Sequence, residues 1–290
     1  MGPPPMGPPL SRLEEPYRSR AAPGGSVRYL SWLFAAPESR EPLLGSYALS
    51  AEWRALMNPA VGVESGRMKL AWWVEEVARL VRGTPLHPIT RFLAALPRAA
   101  QTDFTALNAS LEAAGRQMAG APLEHGTELE THGAALWATP LMTAAHLARD
   151  LGGGSEPAVR RAVSALGAAL YLQESVADYR RDALHGRVIF PVDELLAAGI
   201  EDEDLTAPSP PPALQAYLDG LRSRAERLFN AAADGLPGVE HPALRHLLVL
   251  AALGARHSRS GVKRTGAFRP ADLYQAWVTA RRALSRGSEH

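Results

Sequence analysis

Three carboxylates spaced four residues apart are the feature of this sequence best suited to chemistry. Glu174, Asp178 and Asp182 share one face if their segment is helical, because residues four apart are neighbours on a helix surface. Like charges at this spacing destabilise a helix by roughly 0.2–0.5 kcal/mol per pair. A hard cation such as Mg²⁺, which binds one or two carboxylates together with substrate phosphates, would explain the row. The row of carboxylates would be explained equally by a solvated face with arginines nearby, such as Arg181 and Arg187.

The residues that follow the carboxylates form a longer pattern. From residue 186 to residue 200 the chain reads GRVIFPVDELLAAGI. Together with Asp178 and Asp182, this run resembles the second aspartate-rich motif of the squalene/phytoene synthase family, the head-to-head prenyl synthases. In that family the two aspartates hold Mg²⁺ against a prenyl diphosphate. The resemblance therefore implies that Asp178 and Asp182 are metal ligands and catalytic residues. It also implies an isoprenoid synthase-like helical bundle around a central cavity.

Other segments extend the resemblance from about residue 28 to about residue 286. Residues 66–73, GRMKLAWW, are similar to the family's second-helix segment, and residues 47–49, YAL, stand where the family has a Tyr-Ala-Phe sequence. By this resemblance a prenyl diphosphate would be bound by Tyr47, Glu52, Glu174, Arg181 and Arg187.

The first aspartate-rich motif of the family is missing from this chain. Active members carry aspartates shortly after the tyrosine sequence, whereas Arg54 and Asn58 occupy such places here. Arginine is a permanent cation with no acceptor atoms, so it cannot bind a metal ion. Glu52 is the acidic residue that remains in this stretch. The second motif is altered too, since Glu174 and Ala177 stand where family members have Asn and Arg.

Two functions are compatible with this pattern. One is a protein of the family without normal synthase activity, which binds a prenyl diphosphate, a polyprenyl lipid or an assembly partner. The mitochondrial complex I assembly factor that resembles phytoene synthase also lacks the first motif and represents this branch. The alternative is an active transferase of isoprenoid biosynthesis that condenses two prenyl diphosphates to squalene, phytoene or a related product. Glu52, Asp178 and Asp182 would then hold Mg²⁺.

Charge requirements favour the first function. Ionisation of a prenyl diphosphate needs metals held from both walls of the cavity. If the fold is correct, Arg54 or Asn58 should face the carboxylates where a metal ligand would otherwise lie. We therefore expect a weak dependence on Mg²⁺, with arginines making most of the phosphate contacts.

The composition limits which kinds of binding partner and which cellular compartment are expected. The net charge of +1 at pH 7 carries no basic excess for binding nucleic acid. The chain has no cysteine, which excludes disulfides, thiolate nucleophiles and cysteine-based zinc sites. No apolar run reaches the roughly 18 residues of a membrane-spanning helix. The sequence favours a cytoplasmic protein and leaves a peripheral membrane contact open.

The rest of the chain reads as helical. Apolar residues recur at helical spacing between proline and glycine stops, which predicts an all-α bundle of about eight to ten helices. Residues 1–25 are rich in proline and glycine and are expected to form a disordered tail. The all-α domain would then span residues 26–290. The run of Gly152, Gly153 and Gly154 predicts a loop before the helix that bears the carboxylates.

Overall fold

The structure is a computed structural model that describes residues 12–260 and 269–286. Within these ranges it contains thirteen α-helices, three short 3₁₀ turns and no strand, which confirms the all-α prediction. The α-helices are α1 (Glu15–Ala21), α2 (Val27–Leu33), α3 (Pro37–Leu56), α4 (Val63–Val81), α5 (Pro88–Ala94), α6 (Asn108–Met118), α7 (Gly126–Ala148), α8 (Gly152–Ala183), α9 (Val192–Ala198), α10 (Asp202–Thr206), α11 (Pro212–Gly235), α12 (His241–Ser260) and α13 (Pro270–Arg286).

Proline and glycine set many of the helix boundaries. Pro37, Pro88, Pro212 and Pro270 each occupy the first helical position, where the N–H that proline lacks would have no partner within the helix. Gly199 ends α9 with a φ of 63°, a left-handed conformation that glycine adopts without strain. These residues are the kind of proline and glycine stops that the sequence predicts between helices.

The helix α8, with 32 residues, lies at the centre of the bundle and packs against α7 and α11. The helix α3 also packs on α7, while α12 packs on α11 and α13. A close approach of α7 and α8 requires glycine at two positions. A Cβ on Gly133 would lie 2.5 Å from the Tyr171 side chain, and a Cβ on Gly167 would lie 2.6 Å from the Ala138 backbone nitrogen. This close contact fixes how α8 is rotated about its axis against α7.

Two predictions about irregular segments are wrong. The proline and glycine content predicts disorder up to Gly25, yet Glu15–Ala21 forms α1, which packs on α3. Leu13 and Ala21 are buried, so a few apolar contacts offset the unfavourable composition. Residues 1–11 lie outside the described residues. The three glycines from residue 152 form the first turn of α8 rather than a loop.

In the described part of the chain, no helix combines the length and the apolar character that crossing a membrane requires.

We predict that Gly167→Ala lowers the free energy of unfolding by about 1–3 kcal/mol, because the new methyl group would overpack against the backbone of α7. Gly220→Ala is the matched control. Gly220 lies inside α11 with nothing within 4 Å of its missing Cβ, so alanine should add about 1 kcal/mol through helix propensity. Urea unfolding of both variants measures the difference. Equal stabilisation of the two would contradict the close contact.

Candidate functional site

A cavity of about 640 Å³ lies among α1, α2, α3, α6, α7, α8, α12 and the start of α13. Ligand pockets commonly span roughly 300–1,000 Å³, so the cavity is large enough for a small molecule. One part of its wall is apolar and includes Val27, Ala51, Trp137, Leu170, Ile189 and Leu250. Another part is charged and includes Arg28, Arg54, Glu174, Asp178, Arg181 and Asp182.

The three carboxylates of α8 all line this cavity, as their spacing predicts. They differ in burial, which affects their chemistry. The side chains of Glu174, Asp178 and Asp182 are 12%, 25% and 4% exposed. Three partly or fully buried carboxylates on one face need positive charge or protonation to be stable together.

Arg54 supplies that charge to two of the three carboxylates. It lies near the end of α3 and reaches across to α8. Its Nη1 donates to Glu174 Oε1 at 3.0 Å, and its Nη2 donates to Asp178 Oδ2 at 2.9 Å. The Glu174 carboxylate is the main reason that the pKa of Arg54 is raised, with Asp178 adding to the effect. The expected position of Arg54 opposite the carboxylates is therefore confirmed.

Asp182 is paired differently. Arg181 Nη2 lies 3.2 Å from its Oδ2 and 3.4 Å from Asp178 Oδ2. Burial raises the pKa of Asp182 because it penalises the charged form, and the Arg181 guanidinium opposes this shift without cancelling it.

These residues do not fit a magnesium site. Among the described residues, no group of three or more histidine, aspartate and glutamate side chains is arranged to hold a metal ion. Arg54 takes the space and the charge between Glu174 and Asp178 that a cation would need, and it would repel a second cation nearby. The structure brings Asp178 and Asp182 to the cavity, but this pairing does not support their expected role as metal ligands.

Tyr47, a predicted substrate-binding residue, is not among the residues that line the cavity. It is 3% exposed, and its hydroxyl shares a hydrogen bond of 3.0 Å with Ser31 Oγ. Burial raises the pKa of Tyr47 to about 12, so it stays neutral. The Arg28 guanidinium lies 5.7 Å from the centre of its ring and 3.6 Å from Glu174. Tyr47 thus contacts Arg28, which lines the cavity, without lining the cavity itself.

Glu52 and Arg187, two further predicted substrate-binding residues, are also not among the residues that line the cavity. Glu52 points toward α1 and pairs with Arg20 at 3.0 Å, which holds α1 against α3. Arg187 donates from Nη1 to the carbonyl oxygen of Met57 at 2.7 Å, which ties the segment after α8 to the end of α3. Glu174, Arg181 and the two aspartates are therefore the predicted residues that reach the cavity.

Sequence reasoning missed a polar pair on another part of the wall. His257 and Asp272 line the cavity, and His257 Nε2 lies 2.9 Å from Asp272 Oδ2. The two residues come from α12 and α13, so no spacing pattern along one helix marks them. Arg28, near the start of the stretch that resembles the family, also lines the cavity and was not predicted as a site residue.

Comparisons with known proteins agree with the fold. The squalene/phytoene synthase family model matches residues 22–276. The chain is 32% identical over 231 residues to phytoene synthase from Thermus thermophilus, and the match covers 79% of this chain and 75% of that protein.

Two solved structures share the fold. A dehydrosqualene synthase in complex with ligand gives a TM-score of 0.69 at 14% identity and covers 91% of this chain and 92% of that one. A squalene synthase from Alicyclobacillus acidocaldarius gives a TM-score of 0.64 at 18% identity and covers 80% of this chain and 86% of that one. Because the family model matches most of the chain, the protein belongs to the squalene/phytoene synthase family.

Proposed function

We propose that this protein binds a prenyl diphosphate in its cavity but lacks the metal-assisted condensation of active synthases. The observation that carries this proposal is the double ion pair of Arg54 with Glu174 and Asp178. Ionisation of a prenyl diphosphate leaves negative charge on the departing diphosphate, and metal ions on both walls would have to neutralise it. Here one wall presents an arginine, and the other wall has two of its carboxylates paired with that arginine.

The chemistry of the wall supports a ligand with a phosphate head and an apolar chain. Arg28, Arg54 and Arg181 stand at one end, and guanidinium groups match phosphate geometry. Each guanidinium has five N–H donors, so an arginine can donate to a carboxylate and to a phosphate together. The prenyl chain would lie against apolar side chains such as Trp137 and Leu250.

Binding without turnover is the expected outcome. Calorimetry with farnesyl thiodiphosphate should give the same Kd, within about threefold, with and without Mg²⁺, because Arg54 already supplies the cationic charge. Incubation with farnesyl or geranylgeranyl diphosphate and Mg²⁺, followed by lipid extraction, should yield no squalene or phytoene. The similarity to a phytoene synthase favours the opposite result. Robust product formation, or a tenfold gain in affinity from Mg²⁺ (about 1.4 kcal/mol), would overturn the proposal.

We expect Arg54→Asp to make the protein respond to Mg²⁺. In EDTA the variant should lose about 2–3 kcal/mol of stability, because Glu174 and Asp178 would face a third carboxylate with only the more distant Arg28 and Arg181 to balance the charge. Millimolar Mg²⁺ should restore part of that loss, whereas the wild type should not respond. Arg82→Asp is the control, since Arg82 pairs with Glu75 where both are more than half exposed, and its cost should stay within about 1 kcal/mol. Thermal unfolding measures both, and a Mg²⁺-insensitive Arg54→Asp protein would speak against the charge argument.

The pairing of Asp182 leads to a pH-dependent prediction. Its folded-state pKa lies above the unfolded value of 3.8, so ionised Asp182 costs stability above the folded pKa, and this cost disappears as the pH falls toward 3.8. Asp182→Asn should therefore be no less stable than the wild type at pH 7, and any advantage should vanish in acid. Asp178→Asn should lose about 1–2 kcal/mol at pH 7, because it weakens the bond to Arg54. Equal losses for both variants in urea unfolding would contradict the difference in environment.

A further inference from the structure

A histidine and a buried aspartate form a hydrogen-bonded pair in the cavity wall. His257 Nε2 lies 2.9 Å from Asp272 Oδ2, and both residues line the cavity. Their side chains are 14% and 6% exposed. His257 belongs to the last turn of α12 and Asp272 to the first turn of α13, so the pair joins the two helices at the edge of the cavity.

The bond to Asp272 uses one of the two nitrogens of the imidazole ring. Among the contacts of the described residues, Nε2 is the ring atom of His257 that makes a hydrogen bond, which leaves Nδ1 for a ligand. A protonated imidazole has a donor on both nitrogens, whereas a neutral imidazole has one donor and one acceptor. The protonated ring is therefore the form that can donate to Asp272 and to an anionic ligand together.

The pair lies close to the charged end of the cavity. Gln173 of α8 donates from Nε2 to Ser258 Oγ at 3.2 Å. Ser258 directly follows His257 in α12. Gln173 directly precedes Glu174, the partner of Arg54. This contact between α12 and α8 brings the histidine toward the arginines that the proposed function assigns to a diphosphate.

Charged groups from several elements surround the pair. On α12, Arg256 Nε lies 3.5 Å from Asp272 Oδ1. On α11, the Glu226 carboxylate is bonded to Arg259 and so faces away from the cavity pair. The other charged groups are contributed to the cavity wall by the elements that pack on α12, namely Arg269 just before α13, Arg28 of α2, Arg54 of α3 and Glu174 of α8. Asp272 is the carboxylate that contacts the imidazole, so an anion in the cavity would place the ring between two negative charges.

We propose that His257 is a further binding residue for the diphosphate of a prenyl diphosphate, and that it takes up a proton when the ligand binds. This inference rests on the proposed function. The Asp272 carboxylate and the entering phosphates would both favour the imidazolium, because nearby opposite charges stabilise the charged form of a titrating group. A histidine in water titrates near pH 6.5, and most of it is neutral at pH 7.5. Ligand binding at that pH would therefore be linked to proton uptake.

A purely structural pair would behave differently. If the pair only joined α12 to α13, its removal would change the stability and leave the proton balance of ligand binding as it is. Two other groups contribute to that balance. A terminal phosphate titrates near pH 6, and burial raises the pKa of Asp182. Both are present in the wild type and in a His257 variant, so the difference between the two proteins reports on the histidine.

Calorimetry with farnesyl thiodiphosphate at pH 7.5, in two buffers of different ionisation enthalpy, measures the protons taken up per ligand. We expect His257→Gln to take up about 0.4–0.7 proton fewer than the wild type. The glutamine amide keeps a donor that can reach Asp272 but does not titrate. From pH 6 to pH 8, the Kd of the wild type should rise about five- to tenfold relative to the Kd of the variant.

The surface pair of His125 and Asp193 provides the matched control. His125 Nδ1 lies 3.3 Å from Asp193 Oδ2, the histidine is 70% exposed, and neither residue lines the cavity. His125→Gln should take up as many protons as the wild type. Asp272→Asn should lower the uptake as His257→Gln does, because the ring then lacks the anion that favours its protonated form. Circular dichroism melts confirm that each variant folds.

The possible failures are distinguishable. Ligand binding with equal proton uptake in the wild type and His257→Gln would overturn this inference and leave the proposed function standing. An equal loss of uptake in His125→Gln would also overturn it, because the effect would then not depend on the cavity. If the wild type does not bind farnesyl thiodiphosphate, the proposed function and this inference fail together.

Discussion

The charged end of the cavity depends on the fork of Arg54. Glu174 and Asp178 lie on the same face of α8 and would repel each other in a partly buried wall. Arg54 comes from α3 and donates to both, at 3.0 and 2.9 Å. The helices α3 and α8 both pack on α7. The two hydrogen bonds of Arg54 link α3 directly to α8 as well. The relative placement of the two cavity walls and the charge state of the carboxylates are thus coupled through one guanidinium.

A fixed cation and a metal ion differ in what they can do for a diphosphate. A metal ion coordinates carboxylate and phosphate oxygens at once, acts as a Lewis acid and withdraws charge from the departing group. A guanidinium offers hydrogen bonds and charge, but it forms no coordinate bond. Its attraction can hold a diphosphate in place, while its help to bond cleavage is smaller. In an active synthase, one site both binds and ionises the diphosphate. A protein with arginine in place of the aspartate can therefore bind a diphosphate without ionising it.

Local sequence rules predicted the features that depend on few residues. The four-residue spacing placed three carboxylates on one face, and proline and glycine placed most helix ends. The family resemblance predicted the fold and marked Arg54 as the altered position. Contacts between residues that packing brings together from distant parts of the chain could not be predicted from the sequence. Arg54 meets residues 120 and 124 positions away, and His257 meets Asp272 from another helix. The prediction of disorder from composition is wrong at α1. It rests on the proline and glycine content alone and does not include the apolar contacts that bury Leu13 and Ala21.

The balance of charge in the cavity also determines the free-energy cost of binding an anionic ligand there. At the α8 end Arg28, Arg54 and Arg181 face Glu174, Asp178 and Asp182, so the wall is close to neutral before any ligand enters. A diphosphate adds negative charge that no metal ion accompanies. The arginines must then divide their donors between the carboxylates and the phosphates, which weakens each bond to the carboxylates. Burial raises the pKa of Asp182, and a nearby anion would raise it further. Under the proposed function, a prenyl diphosphate would bind through arginine hydrogen bonds, and its bond to the prenyl carbon would stay intact.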